Sequence, residues 1–257
     1  MPRYRPIPQY YDAEYEHEEM LQSDVPFLLK HLKSKQSILE LAVGSARAAI
    51  PLAQAGHRVV GIDNDPAMLR LATQKRNAVG LNEKQLRLIK QDILNLNLKQ
   101  KFDWIILLFN TFLIFTTLED QDRALQKIRS HLKPTGHFWL DIFQPNLALI
   151  AQDESTNLQP KTFYVPSLDR TVFRSTDVRR DPASQIQRVT FNYTWFDKDG
   201  REIHQQRTFN LTFLFPRELR LLLERNGLQI EKLYGNYDGS KLNANSPRMI
   251  ASCKLLR

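Results

Sequence analysis

Between Ile38 and Phe143, short apolar runs alternate with segments of helical spacing. The apolar runs are "SILELAV", "HRVVGID", "QLRLIKQDI", "FDWIILLFN" and "HFWLDIF"; the helical segments are "ARAAIPLAQAG", "DPAMLRLATQKRNAVG" and a stretch from about Glu119 to Leu132. Apolar strands that alternate with helices form parallel sheets, because a crossover helix returns the chain to the start of the next strand. The pattern therefore predicts an α/β fold whose mostly parallel sheet is covered by helices on both faces.

The sequence pattern changes after Pro145. From about Arg170 to Phe215, polar and apolar residues alternate in "RTVFRSTDV", "IQRVTFNYTWF" and "EIHQQRTFNLTFLF", and "DKDG" separates the last two. This alternation predicts three antiparallel strands. A helix is expected in "PRELRLLLERNG", followed by two closing strands in "LQIEKLYGNYD" and "RMIASCKLL". Before the sheet, a helix is expected from about Met20 to Leu32, after an exposed, aromatic-rich entry, "QYYDAEY".

Composition limits the class of protein. The sequence has no run of 18 apolar residues and its first residues are polar, so we expect neither a membrane span nor a signal peptide, and a cytoplasmic location. Cys253 is the only cysteine, which excludes an intrachain disulfide and favours a buried thiol. The six histidines are dispersed, so no metal site is predicted. The net charge of +8 is scattered rather than clustered, and a nucleic-acid partner is therefore not expected.

The turn after the first predicted strand has features of a ligand site. In an open parallel sheet, ligands bind beyond the carboxyl ends of the strands. Gly44 and its small neighbours Ala42, Ser45 and Ala46 allow close approach of the backbone to a ligand. Asp63, at the end of the second strand, can accept hydrogen bonds from both hydroxyls of a ribose. These residues predict a cofactor that contains adenosine.

Two features of this turn separate the candidate cofactors. A dinucleotide site usually has the pattern G-x-G-x-x-G, whereas this turn has a single glycine. Glu40 in the first strand would repel a pyrophosphate, but it suits a ligand with a cationic amino-acid end. S-adenosylmethionine (SAM) is such a ligand.

The stretch "ELAVGSAR" resembles the first motif of the class I SAM-dependent methyltransferases, E-x-G-x-G-x-G, with Ala42 and Ala46 at positions where glycine is usual. The resemblance implies a Rossmann-like, seven-stranded, mostly parallel sheet flanked by helices, with a three-stranded antiparallel lid insertion. On this basis, residues 1–150 would hold an N-terminal cap helix and the SAM-binding core, 151–215 the lid insertion, and 216–257 the end of the core sheet.

The resemblance also assigns residues to SAM. The implied cofactor contacts are Tyr10, Tyr15, Glu40, Ala42, Gly44, Arg47, Asp63, Asn64, Met68, Asp92, Ile93 and Phe109. In this scheme the methionine part lies against the backbone of Ala42 and Gly44, with Arg47 at its carboxylate. Asp63 holds the ribose. Met68, Asp92 and Ile93 surround the adenine.

Several later segments resemble small-molecule methyltransferases with a short antiparallel lid, among them "DIFQPN" and "LYGNYDGS". The N-terminal tyrosines of that subgroup are expected to fold over the cofactor. The predicted catalytic residues are Asn110, Tyr11 and Asp141. The predicted substrate-binding residues are Phe112, Phe143, Arg174, Tyr193, Trp195, Tyr237 and Arg248.

The expected reaction is transfer of a methyl group from SAM to a small-molecule acceptor. Such an in-line displacement depends on alignment and needs no catalytic triad. An amine acceptor is favoured slightly, because no histidine lies in the motifs that would supply a base for a hydroxyl. Open alternatives are an O-methyltransferase, an RNA or protein methyltransferase, and a non-catalytic SAM-binding protein. A homodimer is also left open.

Overall fold

The computed structural model describes residues 7–16 and 18–256. The helices are α1 (Pro8–Tyr15), α2 (Glu19–Leu29), α3 (Ala49–Gln54), α4 (Pro66–Ala78), α5 (Leu118–His131), α6 (Leu147–Ile150) and α7 (Pro216–Arg225). The strands are β1 (Ser37–Leu41), β2 (Arg58–Asp63), β3 (Leu86–Lys90), β4 (Phe102–Leu107), β5 (Leu132–Phe143), β6 (Glu154–Val165), β7 (Arg170–Asp181), β8 (Ile186–Phe196), β9 (Glu202–Thr212), β10 (Leu228–Tyr234) and β11 (Arg248–Leu255).

The chain divides into two compact units. The core unit consists of Glu19–Phe112, Thr117–Gln144 and the described residues from Phe215 onward. The antiparallel unit consists of the described residues up to Glu18, together with Leu113–Thr116 and Pro145–Leu214.

The core unit contains one seven-stranded sheet in the order β10-β11-β5-β4-β1-β2-β3. Strands β1 to β5 pair in parallel, and β10 and β11 add two antiparallel pairings at one edge. The predicted α/β fold with a mostly parallel sheet is therefore confirmed. Because the strand order reverses between β1 and β4, the carboxyl ends of these two neighbours mark the point where open α/β sheets bind ligands.

Burial explains why these strands read as continuous apolar runs. Consecutive residues of β1 and β4, such as Ile38 with Leu39 and Ile105 with Ile106, are all fully buried. Since successive side chains of a strand point to opposite faces, both faces of the sheet are covered. Cys253 on β11 is also buried, as predicted, and burial raises the pKa of its thiol.

The antiparallel unit contains a four-stranded sheet in the order β6-β7-β8-β9, rather than the three strands predicted. The additional strand, β6, lies at one edge and pairs with β7 through two register shifts. It contains Pro160, and Asn157 and Gln159 have positive φ angles of 51° and 48°. Proline is tolerated in edge strands, but it interrupts the alternation that identifies strands in a sequence.

The aromatic N-terminal segment was expected to be exposed, but it forms helix α1 and two of its tyrosines are buried. Tyr10 is 3% exposed and Tyr15 is 9% exposed. The Tyr10 ring contacts the rings of Phe163, Tyr193 and Trp195, with centroids 5.6–6.4 Å apart. Burial of aromatic rings is strongly stabilising, so these contacts hold α1 on the sheet of its own unit.

No helix among the described residues combines the length and the hydrophobicity that a bilayer crossing requires.

Candidate active site

The turn after β1 has a left-handed backbone at three alternate positions. The φ angles are 54° at Ala42, 55° at Gly44 and 62° at Ala46. The backbone N–H of Val43 donates to the carbonyl of Ile62 at 2.8 Å, which ties the turn to β2. A left-handed conformation costs an alanine about 1–2 kcal/mol. The two alanines therefore keep the glycine-type conformation despite this cost.

Asp63 connects this turn to the start of α4. Its Oδ2 accepts a hydrogen bond from the backbone N–H of Gly44, and its Oδ1 accepts one from that of Asp65, both at 2.9 Å. Burial raises the pKa of the Asp63 carboxyl, although these backbone donors and the N–H of Asn64 oppose the shift. Each carboxylate oxygen has a further lone pair, so Asp63 can still accept hydrogen bonds from a ligand.

Glu40 is a buried acid with one unpartnered oxygen. The side chain is 5% exposed, and its Oε2 has no hydrogen-bond partner among the described residues. Burial raises the pKa of Glu40 to about 8; Arg47 and the backbone N–H of Ala49 oppose the shift, while Asp24 and Asp63 add to it. A buried polar atom without a partner carries a desolvation cost that a ligand can remove.

Arg47 is held by α2. Its Nη1 donates to the carbonyl of Leu21 at 2.8 Å and to Oδ1 of Asp24 at 2.9 Å, and its Nη2 donates to the other carboxylate oxygen. The guanidinium is therefore already paired with a carboxylate of the protein.

The residues predicted to surround adenine lie on α4 and at the end of β3. Met68 of α4 is 1% exposed and Ile93 is 7% exposed. Asp92 accepts a hydrogen bond from the backbone N–H of Leu94 at 2.8 Å and so caps a short 3₁₀ turn. Glu40, Gly44, Asp63 and Asp92 thus all lie at or just beyond the carboxyl ends of adjacent strands.

A second group of residues lies at the ends of β4 and β5. Phe109 and Asn110 follow β4 and have φ angles of 53° and 63°. The backbone N–H of Phe109 donates to Oδ2 of Asp141 at 2.9 Å, and that of Asn110 donates to the carbonyl of Asp141 at 3.1 Å. Asp141 therefore supports two consecutive residues in a strained conformation.

Arg248 at the start of β11 completes this network. Its Nε donates to Oδ1 of Asp141 at 2.5 Å, and its Nη2 donates to Oδ1 of Asn110 at 2.9 Å. Tyr237 also hydrogen-bonds to Asp141, and burial, the Asp141 charge and this bond raise the pKa of its hydroxyl well above the usual range. Asp141 and Arg248 are 1% and 5% exposed. We call Asn110, Asp141, Tyr237 and Arg248 the rim network.

The sequence of the chain is similar to those of known methyltransferases. Residues 38–136 match a protein family described as a methyltransferase domain. The cypemycin N-terminal methyltransferase of a Streptomyces species is 26% identical over 217 residues, which cover 84% of this chain and 81% of that protein.

Two solved structures share the fold. One is an S-adenosylmethionine-dependent methyltransferase from Clostridium acetobutylicum, with a TM-score of 0.78, 19% identity and 96% of both chains covered. The other is the sugar N-methyltransferase KedS8 from a Streptoalloteichus species, with a TM-score of 0.71, 18% identity and coverage of 96% of this chain and 91% of that one. Residues 38–136 of the chain therefore carry a methyltransferase domain.

The rim of this methyltransferase fits SAM. The unpartnered oxygen of Glu40 suits an ammonium group, because a cation would offset the desolvation of a buried carboxylate. The left-handed turn brings the backbone of Ala42 to Ala46 to the carboxyl end of β1, and Asp63 retains lone pairs for hydroxyl donors.

Two predicted substrate-binding residues, Phe112 and Phe143, differ in burial. Phe112 is fully buried and Phe143 is partly buried. The backbone N–H of Phe143 donates to Oδ1 of Asn110 at 2.7 Å. Both carboxylate oxygens of Asp141, predicted as catalytic, accept hydrogen bonds, one from Arg248 and one from Phe109.

The antiparallel unit brings together a separate set, centred on Glu14. Nη1 of Arg174 donates to Oε1 of Glu14 at 2.5 Å, and the Tyr193 hydroxyl donates to Oε2 at 3.1 Å. The predicted residues in this unit, all of them involved in ring or ion-pair contacts there, are Tyr10, Tyr11, Tyr15, Arg174, Tyr193 and Trp195. Sequence reasoning missed Glu14, although its spacing of four residues from Tyr10 places both on one helix face.

Proposed function

We propose that this methyltransferase transfers a methyl group from SAM to a nitrogen atom of a small-molecule amine. The observation that carries the proposal is the hydrogen bonding of Asp141, which among the described residues is the only acidic residue at the carboxyl ends of β4 and β5. It is ion-paired with Arg248 and accepts a hydrogen bond from Phe109, so it is poorly suited to remove a proton from a hydroxyl acceptor. A neutral amine needs no base before it attacks.

The names of related proteins support a nitrogen acceptor. The relative from Streptomyces is called an N-terminal methyltransferase, and the structural neighbour from Streptoalloteichus is called a sugar N-methyltransferase. The second name specifies nitrogen, and the first places the methylation at an N-terminus. The acceptor of this chain is therefore assigned only to the class of small amines.

We assign the cofactor to the rim formed by β1, β2 and β3. When bound, SAM would supply a methyl carbon that the acceptor nitrogen attacks, with S-adenosylhomocysteine as the leaving group and the extra proton of the methylated amine lost to solvent. Glu40 would face the ammonium of the amino-acid end, the backbone of Ala42 and Gly44 would lie along the methionine part, and Asp63 would accept from the ribose hydroxyls. Asp92, Ile93 and Met68 would enclose the adenine. Alignment of the acceptor nitrogen with the methyl group then provides most of the rate.

The test begins with titration calorimetry of SAM and of S-adenosylhomocysteine against the wild-type protein. Asp63→Ala should weaken the binding of both compounds at least about tenfold, because it removes hydrogen bonds to a charged acceptor. Asn82→Asp is the control, since the Asn82 side chain is exposed and, among the described residues, accepts its one hydrogen bond from the N–H of Lys84 at 2.9 Å. Equal affinity in wild type and Asp63→Ala would contradict the assigned cofactor position.

The acceptor is then sought with SAM labelled in its methyl group. The panel contains small amines, each paired with the alcohol in which a hydroxyl replaces the amino group. We expect label to enter the amines and not the paired alcohols. Transfer to alcohols alone would replace the proposal with O-methylation, and transfer only to RNA or to protein would remove the small-molecule assignment.

A further inference from the structure

The orientation of the Asn110 side-chain amide is determined by its neighbours. Its Oδ1 lies 2.7 Å from the backbone nitrogen of Phe143 and 2.9 Å from Nη2 of Arg248. Both partners are hydrogen-bond donors that cannot accept. Since the reversed amide would place its NH₂ group against two donors, only the oxygen can occupy this position.

The amide nitrogen of Asn110 is consequently the atom left for other contacts. Its Nδ2 makes no hydrogen bond to any residue that the structure describes, and Asn110 remains partly exposed. The residue follows β4, whose last residue, Leu107, pairs with Leu41 of β1. The NH₂ group therefore lies just beyond the carboxyl end of β4, on the side of β5 and β11, and it can donate but cannot accept.

We propose that Asn110 is a specificity-determining residue whose amide donates a hydrogen bond to an oxygen atom of the acceptor beside the nitrogen that is methylated. This inference rests on the proposed amine methylation. The favoured acceptors are amines with a neighbouring hydroxyl, carbonyl or carboxylate oxygen. An amine nitrogen needs its lone pair for attack, so the donor must bind a different acceptor atom.

Arg248 and Asp141 act on this specificity as positioning residues. Arg248 holds the Asn110 oxygen through Nη2, and Asp141 fixes Arg248 through the 2.5 Å bond to Nε. Asp141 also holds the backbone of Phe109 and of Asn110 itself. Rotation of the amide would break both bonds to its oxygen, the one from Phe143 and the one from Arg248.

The inference is tested with amine pairs that differ only in the neighbouring oxygen. The probes are trans-2-aminocyclohexanol with cyclohexylamine, and 1-amino-2-propanol with propylamine. Formation of S-adenosylhomocysteine gives kcat and KM for each. We expect wild type to favour the oxygen-bearing amine about tenfold in kcat/KM, the fold-change of one hydrogen bond, and to do so mainly through KM.

Asn110→Asp is the decisive variant. A carboxylate can still accept from Phe143 and Arg248, so the fold and the melting temperature should be retained, while the donor is replaced by an acceptor. We expect the preference for oxygen-bearing amines to fall about tenfold. Asn82→Asp, which makes the same chemical change in an exposed turn, should keep the wild-type preference.

The outcomes separate the two proposals. Turnover of amines with no preference in wild type, or with a preference that Asn110→Asp leaves intact, would overturn the role of Asn110 and leave amine methylation standing. Failure of wild type to methylate any amine while it methylates alcohols would overturn both proposals. Arg248→Lys provides a further check, since lysine can pair with Asp141 but lacks the second donor group that reaches Asn110, and it should also lower the preference.

Discussion

The core unit and the antiparallel unit each contain a buried arginine–carboxylate pair, and the two pairs differ in what they support. Arg248 and Asp141 meet at 2.5 Å at the end of the core sheet, and Arg174 and Glu14 meet at 2.5 Å in the antiparallel unit. The Asp141 pair also binds the backbone of Phe109 and the side chain of Asn110. The Glu14 pair instead links helix α1 to strand β7, with one further bond from Tyr193.

This difference indicates two uses of a buried ion pair. At the rim, the pair fixes a loop in which Phe109 and Asn110 both have positive φ angles. The Arg248–Asp141 pair therefore stabilises a strained local backbone geometry. In the antiparallel unit, the pair holds an element in place, and Nε of Arg174 remains buried without a partner among the described residues. Breaking the first pair should alter a site, and breaking the second should release a helix.

The largest effect is expected from Arg248→Met, which leaves Asp141 buried without its counter-charge. We expect a loss of about 3–5 kcal/mol in the free energy of unfolding, measured by urea denaturation. Arg248→Lys should recover part of this loss, because a lysine can restore the charge but not the second bond to Asn110. A loss below about 1 kcal/mol for Arg248→Met would mean that the pair behaves like an exposed one.

Glu14→Gln should have a smaller and more local effect. The amide can keep a hydrogen bond from Tyr193 but removes the charge that faces Arg174, so α1 should open about ten- to a hundredfold more often, a cost of about 1.4–2.7 kcal/mol. Hydrogen exchange should rise in residues 8–15 while residues 109–112, which belong to the core unit, stay protected.

Glu154→Gln is the control for this helix release, because the Arg179–Glu154 pair lies in the same sheet with both side chains exposed. It should leave the exchange of α1 unchanged, since an exposed pair contributes about 0–1 kcal/mol. Faster exchange at residues 109–112 in Glu14→Gln would show that the two pairs are not independent.

Glu40 is a third buried acid, and it differs from Asp141 and Glu14 because its Oε2 has no hydrogen-bond partner among the described residues. Its pKa of about 8 in the folded protein lies above its ordinary value of 4.5, so the folded state binds the proton more tightly than the unfolded state. The resulting stability is complete below pH 4.5 and is lost as the pH rises toward 8. Against Glu40→Gln, wild type should lose about 2 kcal/mol between pH 6 and pH 8 in urea denaturation. A constant difference across this range would mean that Glu40 titrates normally in the folded protein.

Strands, turns and helices could be predicted from the sequence where their signals lie in neighbouring residues. The strands that carry Glu40 and Asp63, the turn at Gly44 and the helix that begins at Pro66 could all be predicted, because apolar runs, small residues and N-terminal prolines are local signals. Strand β6 could not, since its proline and its register shifts remove the alternation by which strands are recognised.

Long-range pairings were not predictable in the same way. Arg174 and Glu14 are 160 residues apart in sequence, and Arg248 and Asp141 are 107 apart. Arg174, Asp141 and Arg248 were each singled out as polar residues near a site, but no local pattern states which charge meets which. The hydrogen-bond partners limit the role of each residue. Asp141 is ion-paired with Arg248, and Arg248 also donates to the Asn110 oxygen, so the Asn110 amide nitrogen is the group that can donate to a ligand.

The smallest effect should come from the alanines of the β1 turn, and its sign is informative. Ala42→Gly removes a left-handed strain of about 1–2 kcal/mol and adds unfolded-state entropy worth about 0.4–1 kcal/mol, so the melting temperature should rise slightly. Ala46→Gly should gain less, because its methyl group is fully buried and its removal costs about 0.8 kcal/mol. Ala67→Gly, in the first turn of α4, should instead lower stability by up to about 1 kcal/mol. Equal destabilisation by all three substitutions would contradict the left-handed conformation of the turn. It would also contradict the proposed approach of the turn backbone to the cofactor, which depends on that conformation.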